Sequence, residues 1–284
     1  MSTFNISMFD SIKEALSKEQ EKKASGLADL MVFKPGNTYT VRLLPVVKKP
    51  SDTFFHYYAH GWNSLATGQY VSAVSPTSFG DRDPIAEERY KVLRTGSEEE
   101  KEKIKVIRRT EHWLVNVFVV DDPTNPENNG QVKVLRYGKQ LDKIIKDAIS
   151  GDGKEEYGAR IFDLGPNGVN FKIKVEKQSD YPWYASSRFT TAGTDLKLTE
   201  ERQKEIYNGV KDLTAVFRIK SQDELKQMLD EHYYCKATNT EEESSLPEEH
   251  EAVMELSAKT AKVTTSATAD QLTDDDIDNL LKDL

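Results

Sequence analysis

The chain has little cysteine, no long apolar run and no catalytic signature. Cys235 is the one cysteine among 284 residues. No intrachain disulfide is possible, and a reducing, cytosolic setting is expected. No stretch approaches the length of a membrane span. The opening MSTFNISMFDSIKEAL has no basic start followed by an apolar stretch, so no signal peptide is expected. No glycine loop that cradles phosphate, no carboxylate cluster and no Cys/His or Ser/His pattern stands out. The glycines at Gly151 and Gly153, and at Gly165 and Gly168, read as turns. An enzyme is therefore not expected.

Positive charge is scarce overall, with a net charge of −9, but the deficit is local. From Asn239 onward there are 13 acidic and 3 basic residues, a net of −10. The other 238 residues carry 36 basic and 35 acidic ones, a net of +1. Acidic blocks at a chain end are commonly solvated interaction tails. Residues 239–284 have few aromatics and are rich in Glu, Ser, Thr, Ala and Asp, too polar to offset chain entropy by burial. The tip differs. Asp274, Asp275, Asp276 and Asp278 alternate with Ile277, Leu280, Leu281 and Leu284, a spacing that makes one apolar face on a turn or two of helix. That is the pattern of a segment that folds onto a partner.

Three regions follow. Residues 1–25 form a lysine-rich arm (Lys13, Lys18, Lys22, Lys23) with a capping pattern at Ser11 and Glu14. Residues 26–238 form the core, and 239–284 the tail. Within the core, Tyr39 to Leu44 and the β-branched run Trp113 to Val120 read as strands. The dense turn Asp121 to Gly130 leads into a return strand, Gln131 to Tyr137. Leu141, Ile144, Ile145, Ala148 and Ile149 recur at helical spacing. Val169, Phe171, Ile173 and Val175 alternate with Lys172 and Lys174, giving a strand with a basic outer face. Helices are predicted over 199–209 and 221–235, the second opened by the capping box Ser221 to Glu224. Strands without a βαβ rhythm favour a mainly β fold with helical additions, built on a small antiparallel barrel.

Binding a single nucleic-acid strand requires cations to replace counterions and flat rings to stack on splayed bases. Three segments offer both. The first holds Lys103, Lys105, Arg108, Arg109, His112 and Trp113. The second holds Arg136, Tyr137 and Lys139, with Gly138 allowing close backbone approach. The third holds Tyr181, Trp183, Tyr184 and Arg188, preceded by the Lys172/Lys174 face. Each has an ordinary alternative, since rings fill cores and basic runs are often solvated faces. Pro182 and the nearby serines place the third segment in a surface loop.

The run Arg108, Arg109, Thr110, His112, Trp113, Asn116, Val119, Val120, Asp122, Pro123, Pro126, Glu127, Asn128 and Gly130 resembles the T-even-phage single-stranded DNA-binding (helix-destabilising) family. So do Arg136, Gly138 and Lys139, then Asn170, Phe171, Lys174, Val175, Tyr181, Tyr184 and Phe189, and the acidic, leucine-bearing tip. The resemblance implies an OB-fold core with an inserted subdomain at about 57–90. It implies a DNA cleft lined by the basic run and the aromatic cluster, and sequence-tolerant coating of strands in phage replication, recombination and repair. Implied partners are single-stranded DNA, further copies bound head to tail through the arm, DNA polymerase, primase–helicase and its loader, and recombination proteins. The implied setting is the cytoplasm of the infected bacterial host. An RNA-binding translational regulator on the same barrel, or a scaffold that works through its tail, are the rival readings.

The chain departs from the family twice. The arm lacks a compact basic cluster followed by Ser or Thr. The family's zinc site uses one His and three Cys; here His60 matches the His, and 72–86 contain no Cys. Structural zinc takes four ligands, so no cofactor is expected. Packing of Trp62, Tyr70, Phe79 and Ile85 is predicted to hold the inserted unit in its place.

Overall fold

The computed structural model describes residues 28–179 and 181–236. The arm, with its capping pattern, and the acidic tail lie outside the described residues.

The architecture is mainly β. Seven strands form one antiparallel sheet in the order β3-β2-β4-β1-β6-β9, with β5 on the free side of β4. These are β1 (Thr38–Leu44), β2 (Phe54–Asn63), β3 (Tyr70–Val74), β4 (Thr110–Asp121), β5 (Val132–Tyr137), β6 (Asn170–Lys174) and β9 (Arg188–Thr190). A separate hairpin pairs β7 (Glu176–Gln178) with β8 (Tyr181–Trp183). Five helices flank the sheet among the described residues: α1 (Pro84–Thr95), α2 (Glu98–Ile104), α3 (Lys139–Ser150), α4 (Glu200–Asn208) and α5 (Gln222–His232).

Strand β4 organises the sheet. Its first half pairs with β2, its second half with β1, and its other edge with β5. Trp113, Val115, Val117 and Val119 enter the main core beside Val41, Leu43, Leu135, Tyr137 and Phe171. Leu114 and Phe118 enter smaller clusters on the opposite face. With both faces covered, the strand reads as a valine-rich apolar run from Trp113 to Val120, broken only by Asn116. The turn into β5 is built on Asp122. Its carboxylate accepts from the amides of Thr124 and Asn125, both at 2.9 Å, and from Asn128 Nδ2 at 2.8 Å.

Alternation and helical spacing place the other predicted elements. On β6, Phe171 and Ile173 are buried while Lys172 and Lys174 face outward. On α3, Leu141, Ile145 and Ala148 are buried. The capping box of Ser221 and Glu224 opens α5. The third aromatic segment is not simply a loop: Tyr181–Trp183 is a short strand.

The prediction for the inserted unit needs correction. Trp62 and Ile85 do pack together, but with Ile104, Ile107, Leu225, Met228 and Leu229 from α2, its following turn and α5. Phe79 instead joins Phe55 and Tyr57 in a different cluster, 5.5 Å from the Phe55 ring. Tyr70 lies across Gly61, where any side chain would strike its hydroxyl. The apolar packing around Trp62 therefore depends on chain far outside 57–90. Short apolar runs need distant surface to complete a core.

Candidate nucleic-acid interface

In a strand, successive side chains point to opposite faces, and a row of paired residues crosses neighbouring strands side by side. At the start of β4 this creates a line of rings. Trp113 pairs with His56 on one side and Tyr137 on the other. The His56 ring lies 4.9 Å from Trp113, and Tyr137 stacks on Trp113 at 6.0 Å and 18°. Tyr58 meets His56 edge-on at 4.9 Å, and the Arg109 guanidinium lies 4.4 Å above the Tyr58 ring. Lys146 Nζ sits 5.1 Å over Trp113. Lys139 Nζ reaches Glu111 at 3.3 Å, and the same carboxylate meets His56 Nε2 at 2.8 Å. The row thus runs Arg109, Tyr58, His56, Trp113, Tyr137, with cations along it.

Trp113 and Tyr137 are themselves buried. They support the row, while Tyr58 and His56 carry its accessible part. Sequence reasoning missed Tyr58 as a site residue. The signal was present: His56, Tyr58 and His60 recur at period two. The two histidines were weighed on one strand face as possible metal ligands, and the tyrosine between them was not.

Two sequence groupings separate. His112 and Trp113 are neighbours in β4, so they face opposite ways, as do Arg136 and Tyr137 in β5. On the far face His112 Nε2 accepts from Arg136 Nη2 at 3.1 Å and lies 2.9 Å from Thr110 Oγ1. Burial, reinforced by the Arg136 charge, pushes the His112 imidazole down to about 3. His112 is therefore an acceptor that anchors Arg136, and it adds no cation near neutral pH. Lys103 and Lys105 bond to Glu99 and Glu102, each at 2.6 Å, within the α2 region. Arg108 is exposed just before β4.

The third segment divides as well. Lys172 and Arg188 face each other across β6 and β9, while their neighbours Phe171 and Phe189 stack at 4.5 Å inside the main core. Both cations therefore lie on the other face of the sheet from Trp113. Lys174 pairs with Glu176 at 2.7 Å. Trp183, on β8, is 37% exposed, and Tyr181 is half-buried. Tyr184 packs against the main core, 6.4 Å from Phe33, and burial pushes its hydroxyl up to about 12. Its amide donates to Gln140 Oε1 at 2.9 Å, which ties this segment to α3 beside Lys139. Gly138, just before α3, has nothing within 4 Å of where a Cβ would stand, so backbone there is approachable. The partner-binding candidates Asp274, Asp275, Asp276, Ile277, Asp278, Leu280, Leu281 and Leu284 lie outside the described residues.

The donor set does not fit zinc. His60 is buried, with Nε2 2.7 Å from Asp83 Oδ2 and Nδ1 3.2 Å from the Ile107 carbonyl. No group of three or more His, Cys, Asp or Glu gathers among the described residues. No helix among them is long and apolar enough to cross a membrane.

Rings in line, edged by Arg and Lys, can stack on flat bases and neutralise a phosphate chain. An antiparallel sheet with such a face is suited to binding a single nucleic-acid strand. Residues 34–238 match the family described as gp32 DNA binding protein like, and the chain belongs to that family. It is similar to the single-stranded DNA-binding proteins of Enterobacteria phages T4 and T2, 29% identical to each over 195 residues. Those alignments cover 65% of this chain and 62% of each relative. The chain thus spans less than two thirds of the length of the curated relatives it matches.

Proposed function

We propose that this protein binds single-stranded DNA without sequence specificity. It coats exposed strands during phage DNA replication, recombination and repair, in the cytoplasm of the infected host. It is a binding protein and not an enzyme. The observation that carries this reading is the ring row from Tyr58 to Tyr137, edged by Arg109, Lys139 and Lys146. Membership of the family and the names of its phage relatives support it. The sheet serves as the OB-type core, and the elements around Trp62 form one wall of the cleft. The arm joins copies head to tail, and the tail recruits polymerase, primase–helicase and recombination proteins. The test is a titration of the full chain with oligo-dT and a matched RNA oligomer. Saturation at a fixed number of nucleotides per chain is expected, with DNA preferred. No saturable binding to oligo-dT would remove the proposal, and tighter binding to RNA would turn it toward a translational regulator.

Exposure separates two roles in the third segment. Trp183→Ala should weaken strand binding by about 1–3 kcal/mol, the worth of one stacked base. Its melting temperature should stay near that of the wild type, because the ring contributes little to the core. Tyr184→Ala should lower the melting temperature, because it removes a ring packed against Phe33. Thermal melts and anisotropy titrations of both variants decide; a destabilised Trp183→Ala or a fully stable Tyr184→Ala contradicts the assignment.

No structural zinc is proposed. Elemental analysis of protein purified without chelator should find far less than one zinc per chain, and a chelator should leave the melting temperature unchanged. Stoichiometric zinc would overturn this.

The tail carries the chain's negative balance, and tethering gives it a high effective concentration near a basic cleft. Deleting 239–284 should tighten DNA binding, most at low salt, and abolish partner recruitment. Leu280→Ser with Leu281→Ser should lose partners while keeping the competition, since every acid remains. Weaker binding at low salt after the deletion would sink this mechanism.

A further inference from the structure

A chain of hydrogen bonds leads from the buried interior to the tip of Arg109, and its direction is forced by chemistry. His60, Ser75 and Asp83 are all buried, at 1%, 0% and 2% exposure. Asp83 Oδ1 accepts from the amides of Ile85 at 3.0 Å and Ala86 at 3.1 Å, capping α1. Its Oδ2 takes His60 Nε2 at 2.7 Å and the Ser75 hydroxyl. Burial pushes the Asp83 carboxyl up, but the hydrogen bond and charge of His60, with those from Ser75 and the Ala86 amide, outweigh it. The carboxyl stays below its ordinary value, hence ionised and acceptor-only.

Ser75 must therefore give its proton to Asp83. Its oxygen then accepts from Thr77 Oγ1, 2.9 Å away. Thr77, having given its proton to Ser75, accepts from Arg109 Nη1 at 3.0 Å. Arg109 is held from two sides, by this bond to Nη1 and by the Tyr58 ring, whose centroid lies 4.4 Å from the guanidinium carbon. A guanidinium has five N–H donors in a rigid fork. One is spent inward on Thr77, and Arg109 lines a cleft of about 340 Å³ with Tyr58, Thr77, Arg82, Glu87 and Tyr90 among others, where Glu87 is paired to Arg82. Capping α1 needs Asp83 alone. The continuation through Ser75 and Thr77 to a surface cation is what a purely structural role leaves unexplained.

We propose that His60, Asp83, Ser75 and Thr77 are positioning residues for strand binding: together they hold the Arg109 guanidinium against Tyr58, so that its remaining N–H groups meet a backbone phosphate at the mouth of this cleft. The proposal rests on the strand-binding reading above. A long, free arginine loses rotamer entropy when it binds; one already fixed does not, and the difference appears as affinity.

The experiment uses the full chain and labelled oligo-dT, read by fluorescence anisotropy over a salt series. Thr77 is exposed, so its variants are compatible with folding. Arg109→Ala should weaken binding about tenfold and reduce the steepness of the salt dependence by about 0.7, the share of one phosphate on a single strand. Thr77→Val should weaken binding about three- to tenfold, and Thr77→Ser, which keeps the hydroxyl, should restore it. In the Arg109→Ala background Thr77→Val should cost nothing more. Arg109→Lys, charged but without the fork, should lose most of the tenfold. The proposal is overturned if Thr77→Val binds like the wild type, or if it costs as much without Arg109 as with it. A wild-type chain that fails to bind oligo-dT would instead remove the functional reading itself.

Discussion

Arg42→Met should destabilise the protein by about 3 kcal/mol or more, the largest effect expected of any single substitution considered. Arg42 is a fully buried cation on β1. Its Nε donates to Asn170 Oδ1 at 2.9 Å, its Nη1 to the carbonyls of Asp163 at 2.8 Å and Gly165 at 2.9 Å, and its Nη2 to the Thr194 carbonyl. Burial pushes its pKa down from the ordinary arginine value, opposed by the nearby Asp163 charge. Methionine fills much of the volume, but no apolar residue can satisfy the backbone carbonyls it leaves behind. Arg42→Lys keeps the charge and reaches fewer acceptors, so it should fall between the two. For a domain of about 200 residues the methionine variant should melt roughly 6–12 °C lower. Thermal and urea melts check this; a melting temperature within about 2 °C of the wild type would show that the network is not holding the 163–170 loop to the sheet. Gly168 belongs to the same arrangement, since any side chain there would run into the Asp163 carbonyl and the Arg42 guanidinium.

The second large effect is on binding. Raising salt from 50 to 200 mM should weaken the affinity for oligo-dT on the order of fiftyfold if about four phosphates are neutralised, at a slope near −0.7 per contact. Arg109, Lys139 and Lys146 edge the ring row, and Arg108 stands exposed at its start. Sequence should matter little, because stacking accepts any base face. Titrations of oligo-dT and a mixed-sequence oligomer at several salt concentrations measure both. A flat salt response, or a strong preference for one sequence, would contradict the phosphate-and-stacking account.

Several features were legible before any coordinates because they are local. The alternation of Phe171 and Ile173 with Lys172 and Lys174 depends only on the period of a strand. Leu141, Ile145 and Ala148 depend only on the period of a helix. The bond from the Glu224 amide to Ser221 Oγ closes within four residues. Helices α1 and α2 were equally local in their start signals, though the sequence reading passed over them. Asp83 caps α1 with Pro84 in its first turn, and Ser97 with Glu100 forms a capping box for α2. Their charged, weakly amphipathic bodies hid them.

By itself the sequence determined the charge division between core and tail, the mainly β character, and the stretch through Arg109, Trp113 and Arg136 that resembles the family. Only the tertiary structure decided which of those residues share a surface. Strand pairing placed Trp113 between His56 and Tyr137 and turned His112 and Arg136 to the opposite face. It set Lys172 and Arg188 on the other face of the sheet, and joined Arg109 to His60 through three intervening side chains. The reason is physical. Composition and periodicity are properties of neighbours along the chain, whereas a binding face is made by register between strands distant in sequence, and a change of one residue in that register exchanges its two faces.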